Sequence, residues 1–118
     1  MVDDDKIALT RLGAMCRNAG YQVSYASNGN EVLRVHQESP ADVIVTELLL
    51  PEMDGIELLM ALRGQPAKTK IIVMADGGHF ATEHCLRVAR QLGTSHVLTK
   101  PFEPEQLLTA VRSVLEKN

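Results

Sequence analysis

Tryptophan is absent from the 118 residues, and two tyrosines with two phenylalanines are the whole aromatic complement. A cofactor site built on aromatic stacking therefore has little to work with. The two cysteines, Cys16 and Cys85, fall in different helical patterns and form no CxxC pair. They read as reduced thiols, which fits a cytoplasmic protein better than an exported one. No apolar run approaches the ~18 residues of a membrane span, and no signal peptide or transmembrane helix is expected. Positive charge is not in excess, since the formal net charge is −3. A nucleic-acid footprint is thus missing, and any contact with DNA would fall to another chain or domain. Repeats, low-complexity tracts and interior linkers are lacking too.

What is present is an ordinary globular composition, 45% hydrophobic and 23% charged. At this length residues 1–118 read as one domain, able to bury roughly two-thirds of the surface the unfolded chain exposes. The chain is organised around residues 43–55, VIVTELLLPEMDG. Val43, Ile44, Val45 and Thr46 are β-branched with no alternation, the pattern of a parallel strand buried on both faces. One acid, Glu47, stands at its carboxyl end. Pro51 and Asp54-Gly55 follow, with Asp54 as a helix cap and Glu57 as its capping-box partner.

The rest of the chain alternates strand and helix, which argues for a parallel sheet covered on both faces. Residues 6–19 predict a helix with Ile7, Leu9, Leu12, Met15 and Cys16 as its apolar stripe and Gly20 as its stop. Residues 21–27 predict a strand and 30–38 a helix ended by Pro40. Residues 55–63 predict a helix with Ile56, Leu59, Met60 and Leu62 inward. Strands are expected over 70–74 and 95–99, helices over 81–92 and 103–117, the last with Pro104 in its first turn.

Right-handed crossovers bring the carboxyl ends of all parallel strands to one edge, where ligands of open α/β sheets gather. Asp3 and Asp4, Glu47 and Lys100 are therefore expected to converge. Carboxylates 4 Å apart repel by roughly 4 kcal/mol per pair at an effective dielectric near 20. A cation must stand among them, either Lys100 or a hard ion such as Mg²⁺. The histidines, His36, His79, His84 and His96, have no zinc spacing and read as surface or packing residues. Asp76-Gly77-Gly78 lacks the lysine of a P-loop and reads as a strand-to-helix connection.

Four stretches, VDDDK, TELLLPEMDGIELL, IIVMADGG and LGTSHVLTKPF, together resemble the receiver domain of two-component response regulators across essentially the whole chain. The resemblance implies a flavodoxin-like three-layer α/β sandwich with a five-stranded parallel sheet in the order 2-1-3-4-5. It implies transfer of a phosphoryl group from a histidine kinase to an aspartate, and signalling through protein contacts rather than an enzymatic activity of its own. By position, Asp3 and Asp4 resemble the Mg²⁺-binding acid pair, with Glu47 and the Leu49 carbonyl as further ligands. Lys100 resembles the phosphoryl-contacting lysine, and the Lys100–Pro101 bond would be cis. The family's partner face corresponds to residues 81–117, where a homodimer is expected to form.

Four departures shape the expectation. Glu47 stands where the family has its acceptor Asp, and one extra methylene moves the carboxylate about 1.5 Å outward. Errors near 1 Å can cost ~100-fold when in-line geometry carries the reaction. Ala75 stands where a Ser or Thr is usual, and Val97 replaces the aromatic switch residue. Only Met1 and Val2 precede the acid pair. Either the chain begins inside a longer reading frame, or the first strand is two or three residues long.

Two mechanisms follow. In one, Glu47 pairs with Lys100, Mg²⁺ binds weakly and the domain is a phosphorylation-independent or constitutively biased interaction module. In the other, Glu47 or Asp4 is a working phosphoacceptor. Histidine kinases, phosphotransfer proteins or downstream effectors are the expected partners under both. A flavodoxin-type cofactor-binding protein is the distant alternative on the same fold.

Overall fold

Four of the five residues in Val43–Glu47 (β1) are β-branched, and all but Val43 are buried. β1 pairs in parallel with Lys70–Asp76 (β2), which pairs in parallel with His96–Lys100 (β3). The structure, a computed structural model, describes residues 1–2, 6–47, 55–63, 69–76, 87–88, 90–91 and 93–116. Most of the helix expected over 81–92 lies outside that set.

The sheet does not stop at β1. Val2 bridges Ala26 on one side and Thr46 on the other, both in parallel. Since Thr46 is level with Val73 and Val73 with Val97, a single row, Ala26, Val2, Thr46, Val73, Val97, crosses the whole molecule. The expected order is therefore present, with Val2 in the lane between Ala26 and β1. The strand expected over 21–27 is corrected accordingly. The segment runs beside Met1 and Val2, accepting from the Met1 amine at the Ser24 carbonyl and donating to the Met1 carbonyl from the Ala26 N–H, but only Ala26 is bridged in the ladder.

Helices cover both faces. Lys6–Asn18 (α1) and Pro104–Glu116 (α4) lie on one, Gly29–Glu38 (α2) and Gly55–Arg63 (α3) on the other. Val45, Ile72, Met74 and Leu98 pack with Cys16, Leu107, Ala110, Val111 and Val114. Ile44, Ile71, Val73 and Ala75 pack with Val32, Leu58, Leu59 and Leu62. Each fully buried Leu or Ile contributes roughly 1.5–3 kcal/mol. Two inward positions differ from the expected stripes. Ile7 is 74% and Met60 61% exposed. Each lies two residues, about 200° of helical turn, from a buried leucine, Leu9 or Leu58.

The ends are set locally. Gly20, at φ 98°, closes α1, with its N–H donating to the Arg17 carbonyl and the Tyr21 N–H to that of Cys16. Asn28 caps α2, its Oδ1 accepting from the Glu31 N–H, while Glu31 accepts from the Ser27 hydroxyl. Pro104 opens α4, and the Gln106 side chain accepts from the Glu103 N–H in a capping box.

Candidate functional site

β1 and β3 are separated by β2 and Glu47 is level with Leu98, so Lys100 starts two strand spacings across and two residues further along, roughly 12 Å away. Residues 43, 45 and 47 of β1 and 96, 98 and 100 of β3 share one face by the two-residue period of a strand. Both long side chains therefore lean over the end of β2 from the same side. They meet there: Lys100 Nζ lies 2.5 Å from Glu47 Oε2. The carboxylate is 10% exposed and the lysine side chain 30%. A pair this sheltered is screened much less than a surface one, and neither partner can be removed without leaving a charge in poor solvent.

The length of Glu47 brings its carboxylate into direct contact with the ammonium. An aspartate at the same backbone position would end about 1.5 Å short. β1 holds Glu47 in place from both directions. Its N–H donates to the Val2 carbonyl at 2.9 Å, and its carbonyl accepts from the Thr46 hydroxyl at 3.0 Å. Two described neighbours offer no hydrogen bond to an anion from their side chains. Ala75, at the end of β2, is buried and carries no hydroxyl, and Val97 packs half-buried against the core below α2 and α3. The Lys100–Pro101 peptide bond is cis. Asp3, Asp4 and Leu49 lie outside the described residues.

The one described member of the expected Mg²⁺ ligand set, Glu47, has an oxygen against an ammonium group and fits a cation shell poorly. Among the described residues no cluster of three or more His, Cys, Asp or Glu could hold a metal ion. His36 does packing work, as expected of a histidine without zinc partners. It is buried at the opposite edge of the sheet, where the Ala41 N–H donates to Nδ1 at 3.0 Å. The ring proton then sits on Nε2, facing Thr69 Oγ1 at 3.4 Å, and the Thr69 hydroxyl donates to the Ala41 carbonyl at 2.8 Å. No spacing in the sequence announced this closed loop, because its three members are joined only by tertiary packing.

Comparison with known proteins agrees with the geometry. The family model for the response regulator receiver domain matches residues 1–112. The chain is 30% identical over 118 residues to the alkaline phosphatase synthesis transcriptional regulatory protein PhoP of Bacillus subtilis, covering all of this chain and 48% of that protein. It is 34% identical over 119 residues to the transcriptional regulatory protein KdpE of Mycobacterium tuberculosis, covering all of this chain and 50% of that one. The chain thus spans about half the length of these regulators. The solved structure of the chemotaxis response regulator CheY4 of Vibrio cholerae superposes with a TM-score of 0.85 at 30% identity, over 96% of this chain and 93% of that one.

Proposed function

This chain belongs to the response regulator receiver domain family of two-component signalling, and from that premise we propose that it works without covalent switching. The observation that carries the reading is the Glu47–Lys100 contact. In a phosphorylated receiver the lysine answers a phosphoryl group; here it answers a carboxylate already built into the chain. One carboxylate offers about half the charge of a phosphoryl group and fewer acceptor oxygens, so the mimicry is partial. It is also permanent, because the ion pair needs no donor and is not hydrolysed.

The neighbouring positions support the same reading. A phosphoryl group at this rim would find no hydroxyl at Ala75 to draw toward it, and Val97 has no aromatic ring to turn inward. Mg²⁺ binding would rest on Asp3 and Asp4 and be weakened by the loss of Glu47 to Lys100. The protein is then a constitutively biased interaction module, cytoplasmic and non-enzymatic. Its partners are histidine kinases, phosphotransfer proteins or effectors, and β3 with α4 is its contact and homodimer face.

The test is a phosphodonor assay. Incubated with acetyl phosphate and Mg²⁺, the protein is expected to gain no phosphoryl mass. Glu47→Asp, which withdraws the carboxylate from Lys100 and restores acceptor geometry, is expected to gain one. A labile adduct on the unaltered chain that disappears in Glu47→Gln would establish Glu47 as a working acceptor and overturn the proposal. An adduct that persists in Glu47→Gln and disappears in Asp4→Asn would do the same for Asp4.

A further inference from the structure

Of the asparagines with a residue after them, Asn18, Asn28 and Asn30, only Asn28 is followed by glycine. Gly29 has no Cβ to keep its amide nitrogen from the Asn28 side chain, so the pair carries the chemistry of succinimide formation. The Gly29 nitrogen bonds to Asn28 Cγ, the Cγ–Nδ2 bond breaks, and ammonia leaves with the proton of the Gly29 N–H. Water then opens the ring at either carbonyl and leaves an aspartyl or an isoaspartyl residue at position 28. The fold holds the pair off that path. Asn28 is the N-cap of α2, extended at φ −154° and ψ 168°, and its Oδ1 accepts from the Glu31 N–H at 2.9 Å. At that ψ the Gly29 nitrogen stands well out of the plane in which the five-membered ring closes, and the cap bond keeps the side-chain amide turned toward the helix. The Asn28 carbonyl is engaged as well, accepting from the Val32 N–H at 3.2 Å, and Gly29 itself is buried. Glu31 ties the preceding residue to the same turn, its carboxylate accepting from the Ser27 hydroxyl at 3.0 Å.

We propose that Asn28-Gly29 is a self-modifying site, a deamidation point that the α2 cap keeps closed and that reacts when the first turn of α2 opens. Helix ends open at lower cost than the core they adjoin, so the rate of modification follows the fraying of this one turn. The two products then part. An aspartyl side chain caps as well as asparagine, and its charge lies at the positive end of the α2 dipole, so that product keeps the helix start. The isoaspartyl product threads the main chain through Cβ, which adds one carbon to the backbone and takes the side-chain oxygen away from the Glu31 N–H. Its effect reaches the core, because Val32 is the next residue after Glu31, is buried, and belongs to the cluster of Leu58, Leu59 and Leu62 on α3. Deamidation at this point is thus a one-way change that loosens α2 in one product and spares it in the other.

The experiment incubates the 118-residue protein in mildly alkaline buffer, once folded and once in urea beyond its unfolding midpoint. Each asparagine is followed by peptide mapping, through the mass gain of an amide turned acid and enzymatic methylation of isoaspartyl groups. In urea, Asn28 is expected to convert at least tenfold faster than Asn18 and Asn30, and Gly29→Ala to remove that advantage. In the folded protein, conversion at Asn28 is expected to be at least tenfold slower than in urea. The purified isoaspartyl product is expected to exchange its Glu31 amide hydrogen at least tenfold faster than the Asn28→Asp variant, which keeps the cap. Equal rates at Asn28 in folded and unfolded protein, no advantage over Asn18 and Asn30 in urea, or an isoaspartyl product no different from Asn28→Asp at the Glu31 amide would each overturn the proposal.

Discussion

The two rims of the sheet differ: one is closed by an ion pair, the other opens on a cavity. At the carboxyl ends of the strands the Glu47 carboxylate meets the Lys100 ammonium and closes the rim with an ion pair. At the amino ends lies a cavity of about 530 Å³, lined by Val23, Val43 and Leu115 among others. The same sheet supports both because its middle is complete: the row from Ala26 to Val97 is unbroken and lies between two packed cores. The strand ends therefore carry different chemistry on one shared frame.

The sharpest way to break the comparison is at the filled rim. Lys100→Met leaves the Glu47 carboxylate almost fully sheltered with its cation gone, and is expected to cost about 2–3 kcal/mol, reduced from the value for a deeply buried pair because Lys100 is partly exposed. Glu47→Gln with Lys100→Met removes both charges and is expected to recover at least half of that loss. Urea denaturation of the two single variants and the double variant gives the coupling. Additive losses would mean that the contact contributes nothing to stability.

At the open rim the corresponding contact is the loop of bonds through His36. His36→Ala deprives the Ala41 N–H of its acceptor and leaves a void beneath Thr69, for an expected loss of about 1–2 kcal/mol. His36→Gln keeps an acceptor of similar reach and is expected to lose less than half as much. Thermal unfolding of the three proteins decides the order. A loss in Ala matched by Gln would assign the effect to ring packing alone.

The filled rim was more legible than the open one. Unbroken β-branching at residues 43–46 identified a doubly buried strand, and a single acid at its end located the rim before any coordinates. The meeting of Glu47 with Lys100 followed from parallel topology plus side-chain length. Helix termini were legible where one residue decides them, as at Gly20 and Pro104. Pairing between residues far apart in sequence was not. Whether residues 21–27 form a strand depends on tertiary pairing with Met1 and Val2, which no local pattern reports. The burial of Leu58 in place of Met60 was missed because two apolar neighbours of similar size fit either helical phase. Tyr25 shows the same limit. Its hydroxyl sits where a Cβ on Gly13 would be, and the Arg17 guanidinium lies 5.1 Å from its ring centroid. The sequence marked the glycine only as a helix residue.

The smallest expected effect is a pH dependence confined to the open rim. Burial holds the Met1 ammonium at about 6 in the folded protein, against 8.0 when solvated. Between those values the unfolded chain carries the extra proton, so stability rises as pH goes from about 6 to about 8 and is flat on either side with respect to this group. Because Met1 is half-buried, solvent screening keeps the span to at most about 1 kcal/mol. Histidines and carboxylates also contribute to any measured profile, so the informative quantity is a difference. Urea midpoints of the free-amine and N-terminally acetylated proteins should diverge with falling pH across this window, the free-amine form becoming the less stable. Parallel profiles would show that the Met1 amine is solvated in the folded protein.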